Sequence, residues 1–90
     1  MKIKVFGKAG CAKCDTTKNK LKHFIGKWEV EDKVELVFHD LDTIDGRAEG
    51  AFHDVSDALP TTIIEKDESV LARWDGEVPN SEKVKEHLTK

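Results

Sequence analysis

Apolar and polar positions alternate at the start of the chain, and the period then changes twice. Within residues 1–6, Ile3 and Val5 alternate with lysines, which predicts a first strand. Apolar residues recur at helical spacing over residues 14–28, which predicts a helix with one apolar face. Alternation returns over residues 34–39 and predicts a second strand. Strand, helix and strand in this order form a parallel pair joined by a right-handed crossover.

The second half of the chain predicts two more helices and a hairpin. Three aspartates and a glycine in residues 40–46 indicate a turn that leads into a short helix. Residues 61–65 and 70–74 are two predicted strands, and the four polar residues between them fit a hairpin loop. A last helix is predicted with Asn80 or Ser81 as its N-cap. The apolar face of the second helix is expected at i, i+3, i+4, i+7 spacing: Ala48, Ala51, Phe52 and Val55.

This order of elements defines the expected fold class. A βαβ unit, a helix and a ββα unit give an α/β fold, with a four-stranded mixed sheet and three flanking helices on both of its faces. The 90 residues match the size of one domain, so residues 1–90 are predicted to form a single domain. We expect Phe24 and Phe52 in the core, and His39 and His53 in solvent.

Charge and hydropathy argue against several classes of function. The chain carries 15 basic and 18 acidic residues, a net charge of −3, so its overall charge does not favour nucleic acid. No apolar run approaches the roughly 18 residues that a membrane span needs. Residues 1–10 lack the uninterrupted apolar segment of a signal peptide. We therefore expect a cytoplasmic protein that binds neither nucleic acid nor membrane, and a monomer as the simplest assembly.

The two cysteines, Cys11 and Cys14, carry the strongest chemical signal. A bond between them closes so small a ring that it would not staple the fold, and structural disulfides are rare in the cytoplasm. Cys11 lies where the first helix begins, and the helix N-terminus favours its thiolate form, with Lys8 and Lys13 adding positive charge. Cys14 lies one turn further on the apolar face, so we expect it to be buried. This division suits a nucleophile and a resolving thiol.

A Cys-x-x-Cys pair also occurs as half of a zinc site. Zinc needs four ligands, and the chain has no second cysteine pair and no two histidines at zinc-site spacing. No metal site is therefore predicted within one chain. Two alternatives stay open: a metal or iron–sulfur cluster carrier that uses the Cys-x-x-Cys motif across a dimer, and a binding module whose cysteines have no function.

The tetrapeptide at residues 11–14 follows a first strand at residues 1–7, and this arrangement resembles the active-site turn of the thioredoxin superfamily. By its size the chain resembles the glutaredoxin branch, and the likeness covers nearly all of its length. The resemblance implies the thioredoxin fold and thiol–disulfide exchange, with Cys11 as the nucleophile and Cys14 as the resolving thiol.

The resemblance also implies a substrate groove. The segment 59–61 looks like the superfamily's cis-proline loop, whose proline faces the redox cysteines and whose preceding residue pairs with substrate through its backbone. A lysine three residues before the first cysteine often binds glutathione in glutaredoxins, and a glycine motif after the fourth strand lies near the glutathione carboxylate. The candidate substrate-binding residues are therefore Leu59, Pro60, Thr61, Lys8, Lys13 and Gly76.

Several positions depart from the glutaredoxin pattern. Ala12 and Lys13 replace the usual Pro-Tyr pair between the cysteines, and the chain has no tyrosine. Asp75 and Glu77 flank Gly76 and would oppose an anionic tripeptide, so the sequence argues against glutathione as a bound cofactor. We expect an enzyme without a permanently bound cofactor, which reduces or exchanges disulfides in protein partners. Its electrons would come from an unidentified reductase or from glutathione.

Overall fold

The order of strands and helices in the structure is the order that the hydrophobic pattern predicts. The computed structural model describes residues 1–55 and 58–88. Its elements are β1 (Lys2–Gly7), α1 (Ala12–Lys27), β2 (Glu35–Asp40), α2 (Ile44–Phe52), β3 (Thr61–Lys66), β4 (Ser69–Asp75) and α3 (Ser81–Leu88). None of the helices in these ranges is long and apolar enough to cross a bilayer.

The four strands form one mixed sheet in the order β2-β1-β3-β4. β1 and β2 run parallel and β3 and β4 run antiparallel, as the sequence predicts. The structure adds an antiparallel pairing of β1 with β3. Phe6, near the end of β1, pairs with His39 on one side and with Thr61 on the other. The register therefore brings the segment after β1 and the segment before β3 to the same end of the sheet, where β1 ends and β3 begins.

The hydrophobic core lies on the face of the sheet that α1 and α3 cover. Alternate residues of the strands meet the apolar stripes of the two helices there, and each buried leucine or isoleucine side chain contributes roughly 1.5–3 kcal/mol. Asn80 caps α3 as expected, since its Oδ1 accepts the backbone N–H of Glu82 at 2.9 Å. The core residues are Ile3, Val5, Leu21, Ile25, Val30, Val34, Ile64, Val84 and Leu88, with Trp28 packed against them.

The predicted apolar face of α2 is wrong. Phe52 is 79% exposed, and the residues that α2 buries are Gly46 and Gly50. A Cβ atom on Gly46 would clash with the backbone carbonyl group of Asp40, so α2 lies too close to the end of β2 for a larger side chain at that position. Phe24, also expected in the core, is only half-buried and stacks on Trp28 with ring centroids 4.8 Å apart.

The two histidines expected in solvent are covered where α2 packs on the sheet, because His39 lies on β2 and His53 is the C-cap residue of α2. His53 is 9% exposed, and half-buried His39 stacks on Phe6 with ring centroids 4.9 Å apart. Burial lowers the pKa of His39, and the positive charge of Lys4 acts in the same direction, while Glu49 opposes both. Both predictions of exposure are therefore wrong.

A partly buried ion cluster lies on the same face, around a lysine in the middle of β1. Lys4 Nζ lies 3.2 Å from Glu65 Oε1, 3.3 Å from Glu49 Oε2 and 3.1 Å from His53 Nε2. Burial disfavours the charge on Lys4, but hydrogen bonds to Glu65 and Glu49 outweigh it and raise the pKa of Lys4. The same hydrogen bond from Lys4 lowers the pKa of Glu49. Lys4 thus joins β1, β3 and α2.

Replacing Lys4 by methionine is expected to lower the free energy of unfolding at pH 7 by about 1–3 kcal/mol, because Glu65 and Glu49 lose their buried donor. Because the pKa of the Glu49 carboxyl is lowered in the folded protein, its charge stabilises the fold above pH 4.5, its ordinary pKa. This stabilisation is lost as the pH falls through the lowered pKa. The deficit should therefore shrink in acid, as measured by urea unfolding from pH 7 to pH 3.

Lys2→Met is the matched control for this substitution, since it removes the same charge from the same strand. No salt bridge in the described ranges involves Lys2. An equal loss of stability in both variants, or a Lys4→Met deficit that does not depend on pH, would contradict the role given to the cluster.

Candidate functional site

Cys11 is the N-cap residue of α1. Its backbone is extended (φ −93°, ψ 105°), and its Sγ accepts the backbone N–H of Cys14 at 3.1 Å. This is the position at which serine, threonine or aspartate usually supplies an oxygen to an unpaired N–H at the start of a helix. Here a sulfur atom takes that place, so Cys11 lies at the positive end of the helix dipole, as the sequence predicts.

Cys11 and Cys14 form a disulfide whose two Cα atoms are 5.2 Å apart. The two sulfurs differ in their access to solvent, because Cys14 is 0% exposed and Cys11 is partly exposed. Of the two sulfur-bearing residues, only Cys11 is therefore accessible to a molecule from outside, while Cys14 is enclosed by the protein. The predicted burial of Cys14 is confirmed.

Gly7, the last residue of β1, lies against the buried cysteine, and the sequence analysis did not assign it a role. A Cβ atom at Gly7 would lie 2.7 Å from Cys14 Sγ and 2.8 Å from Cys14 Cβ. Cys14 Cβ is fixed by the helix backbone and Sγ is held by the disulfide, so neither can move aside for a side chain larger than glycine. The available signal was a glycine at the end of the strand that precedes the cysteine pair.

The segment before β3 contains a cis peptide bond between Leu59 and Pro60, as the resemblance implied. Pro60 is buried, and its carbonyl oxygen accepts the backbone N–H of Gly76 at 2.9 Å. Gly76 has a φ of +75°, a conformation that glycine adopts without strain. Gly76 therefore holds the proline loop through its backbone, next to Ala58, whose Cβ lies 3.4 Å from the place of a Gly76 Cβ.

Thr61 fixes the same loop from the other side. Its side chain is fully buried, and its hydroxyl donates to the Ala58 carbonyl oxygen at 3.1 Å, with Asp75 Oδ1 at 3.2 Å. Leu59 is partly buried. Of the segment 59–61, then, Thr61 has no side-chain surface for a substrate. Thr61 pairs with Phe6 near the C-terminal end of β1, which places the loop beside the segment that carries the cysteines.

Asp75 is bound by a neighbour that the sequence analysis did not name. Arg73 Nε donates to Asp75 Oδ2 at 3.0 Å, and the guanidinium also donates to the carbonyl oxygens of His53 and Asp54. The Arg73 hydrogen bond outweighs burial and, with the Thr61 hydroxyl, lowers the pKa of Asp75. Asp75 is therefore an ion-paired carboxylate beside Gly76.

Lys8 and Lys13 are both exposed, on either side of the first cysteine along the chain. Neither makes a hydrogen bond or salt bridge that involves only residues of the described ranges. Any effect on Cys11 would act through their charge rather than by contact. Within 1–55 and 58–88, no group of three or more histidine, cysteine or acidic side chains could hold a metal ion. A metal on the cysteine pair would thus need ligands from outside these residues.

The sequence matches no protein-family model and no curated protein. Solved structures do match its fold. Thioredoxin O2 from Arabidopsis thaliana, in its oxidised state, superposes with a TM-score of 0.80 and 23% identity, over 99% of this chain and 75% of that chain. A malarial protein superposes with a TM-score of 0.77 and 23% identity, over 97% and 96% of the two chains.

Thioredoxin 1 from Thermosipho africanus superposes with a TM-score of 0.70 and 22% identity, over 99% of this chain and 96% of that chain. At such identities the likeness establishes the fold. The chain therefore has the α/β thioredoxin fold, with a Cys-x-x-Cys disulfide at the start of its first helix. The fold class given by the hydrophobic pattern and by the superfamily resemblance is confirmed.

Proposed function

We propose that this protein is a small thiol–disulfide oxidoreductase in which Cys11 is the nucleophile and Cys14 the resolving thiol. The observation that carries the proposal is the position of the Cys11 Sγ, which caps α1 and accepts the Cys14 N–H at 3.1 Å. That hydrogen bond and the helix dipole stabilise a thiolate at Cys11 when the disulfide is reduced. The partial exposure of Cys11 leaves it open to attack on a partner.

The reaction transfers two electrons in two displacements. In the first, the Cys11 thiolate attacks one sulfur of a partner disulfide, and a Cys11–partner bond forms while the partner's other sulfur leaves as a thiolate. In the second, the Cys14 thiolate attacks Cys11 Sγ, so the Cys11–Cys14 bond forms and the remaining partner sulfur leaves. The partner gains two electrons and two protons, and the protein loses them.

The proline loop is the proposed docking groove for the partner backbone. Leu59 and Pro60 would line it, and the buried hydroxyl of Thr61 and the backbone N–H of Gly76 would keep it in shape. Lys8 and Lys13, both exposed, would favour the Cys11 thiolate through their positive charge. Of the two acids beside Gly76, Asp75 is paired with Arg73, so the argument for protein disulfides over the anionic glutathione rests on Glu77.

The remaining features of the proposal follow from this chemistry. No bound cofactor is required, because the cysteine pair itself stores the two electrons. A reductase or glutathione would return the pair to its dithiol form. The reducing environment of the cytoplasm suits that cycle, and a monomer suffices for it, since both thiols come from one chain.

The test is a turnover assay in which dithiothreitol reduces the disulfides of insulin, followed by the turbidity of the released chain. We expect catalytic amounts of the protein to shorten the lag before precipitation. The Cys11→Ser/Cys14→Ser variant is expected to behave as buffer. A wild-type protein that is no faster than the double variant would refute the proposed activity.

A further inference from the structure

An apolar groove runs between α1 and the edge strand β2, on the core side of the sheet, and the proposed function does not use it. Its volume is about 280 Å³. Apolar side chains form the floor and two lysines of α1 form one rim, with an acid at the far end. The lining residues are Val5, Ile25, Val34, Leu36 and Phe38, then Lys18, Lys22 and Gly26, and Glu31.

The groove begins beside the cysteine pair. Phe38 Cε2 lies 3.4 Å from the place of a Gly7 Cβ, and Gly7 lies against Cys14. On α1, Cys14, Lys18 and Lys22 follow one another at steps of four residues, so they lie along one side of the helix. From Cys14 to Ile25 this side extends about 16 Å, the length of about five residues of an extended chain.

In the part of the chain that the structure describes, one of the two edges of β2 is unpaired. Among the residues that the structure describes, β2 pairs only with β1. Its core-side residues Leu36 and Phe38 are partly exposed, although the strand has no partner to cover them. An added strand would pair with the backbone of β2, and every second side chain would enter the groove. The open edge and the groove are therefore two parts of one surface.

The charge on the rim determines which segment fits. Lys18 Nζ lies 5.1 Å from the centroid of the Phe38 ring, and Lys22 is exposed. No salt bridge within 1–55 and 58–88 involves either lysine. Two lysines with no carboxylate partner among the described residues, over an apolar floor, are complementary to a segment that is both acidic and apolar.

We propose that the β2 edge and this groove bind an extended segment of the partner protein, with apolar residues at alternate positions and an acidic residue opposite Lys18 and Lys22. This proposal rests on the proposed function, since it identifies the partner as one that carries such a segment beside its disulfide. A second copy of this chain is the competing occupant. However, β2 carries Glu35 and Asp40 at its two ends, and two antiparallel β2 strands would bring these like charges opposite each other.

The test is direct binding to the Cys11→Ser/Cys14→Ser variant, followed by fluorescence anisotropy. The probe is a labelled heptapeptide in which threonines alternate with leucine, glutamate and leucine. The order of its side chains is therefore the same in either chain direction. We expect it to bind at least about tenfold more tightly than the same peptide with lysine in place of glutamate. Lys18→Glu/Lys22→Glu should reverse that preference.

Lys27→Glu/Lys83→Glu is the matched control, because it changes the net charge equally at exposed positions outside the groove. We expect it to keep the preference for the acidic peptide. N-methylation of one alternating set of peptide amides should abolish binding, and methylation of the other set should not. Equal binding of both peptides, no binding, equal effects of the two methylated sets, or dimerisation of the protein in place of binding would each overturn the proposal.

This measurement does not depend on the redox reaction. Insulin turnover without any peptide preference would leave the proposed function standing and remove the docking surface. A peptide preference without insulin turnover would support the docking surface and refute the proposed activity.

Discussion

Reduced protein with Cys14 replaced by serine is expected to capture a small disulfide and stop there. With bis(2-hydroxyethyl) disulfide, Cys11 should form a mixed disulfide with one mercaptoethanol group, and one mercaptoethanol should be released. The intermediate should persist, because the variant has no second cysteine in the chain to attack Cys11 Sγ. The wild-type protein should release two mercaptoethanol molecules and end as the Cys11–Cys14 disulfide. Intact mass and thiol release measure both results.

Cys11→Ser provides the contrast. Its remaining thiol, Cys14, is 0% exposed, so reaction with the same disulfide should fall to the level of the solvent control. The small, uncharged probe makes this result independent of any docking groove. Rapid adduct formation at Cys14 in the Cys11→Ser variant would contradict the assignment of nucleophile and resolving thiol.

Gly7→Ala is expected to disturb the buried cysteine Cys14. The new Cβ atom would lie 2.7 Å from Cys14 Sγ, closer than van der Waals contact permits. We expect the free energy of unfolding to fall by about 1–3 kcal/mol, as for other overpacked core sites. We also expect the second displacement to slow roughly 10- to 100-fold, because it depends on the position of that sulfur.

Gly26→Ala is the control, since it adds the same methyl group where a Cβ atom meets nothing within 4 Å. Gly26 lies inside α1, so alanine there should stabilise the protein by about 0.5–1 kcal/mol and leave the exchange rate unchanged. Urea unfolding and the decay of the mixed disulfide measure the two effects. A Gly7→Ala protein as stable and as fast as the wild type would show that Cys14 does not need this space.

The sheet and the cysteine site could be predicted because local patterns determine them. Alternation of apolar residues identified β1 and β2, and the loop of four polar residues identified the β3–β4 hairpin. The spacing of Cys11 and Cys14 placed one at the start of α1 and the other on its buried face. Each of these features depends on residues that lie close together in the sequence.

The errors on α2 come from a contact that no local pattern shows. Apolar spacing favoured a face with Phe52, but the helix lies so close to its neighbours that Gly46 and Gly50 form the contact. A glycine carries no hydropathy signal, so this face was not visible in the sequence. Once α2 covers the sheet there, His39 and His53 are covered with it.

The polar networks could not be predicted from the sequence either, since they join residues far apart in the chain. Lys4 and His53 are 49 positions apart, and Arg73 and His53 are 20 apart. Gly7 was noted only as the end of a strand, because its contact with Cys14 depends on how α1 returns over the sheet. Hydrogen bonds and contacts between residues so far apart in the chain are determined by the tertiary fold.

The most direct test of the account is a redox titration of the Cys11–Cys14 pair in buffers of defined potential, with free thiols counted by alkylation and intact mass. We predict a single two-electron transition with a midpoint between roughly −300 and −120 mV, the range of working dithiol–disulfide couples. Both thiols should appear or disappear together. Thiols that stay free, or stay bound to metal, across that whole range would contradict the proposed activity.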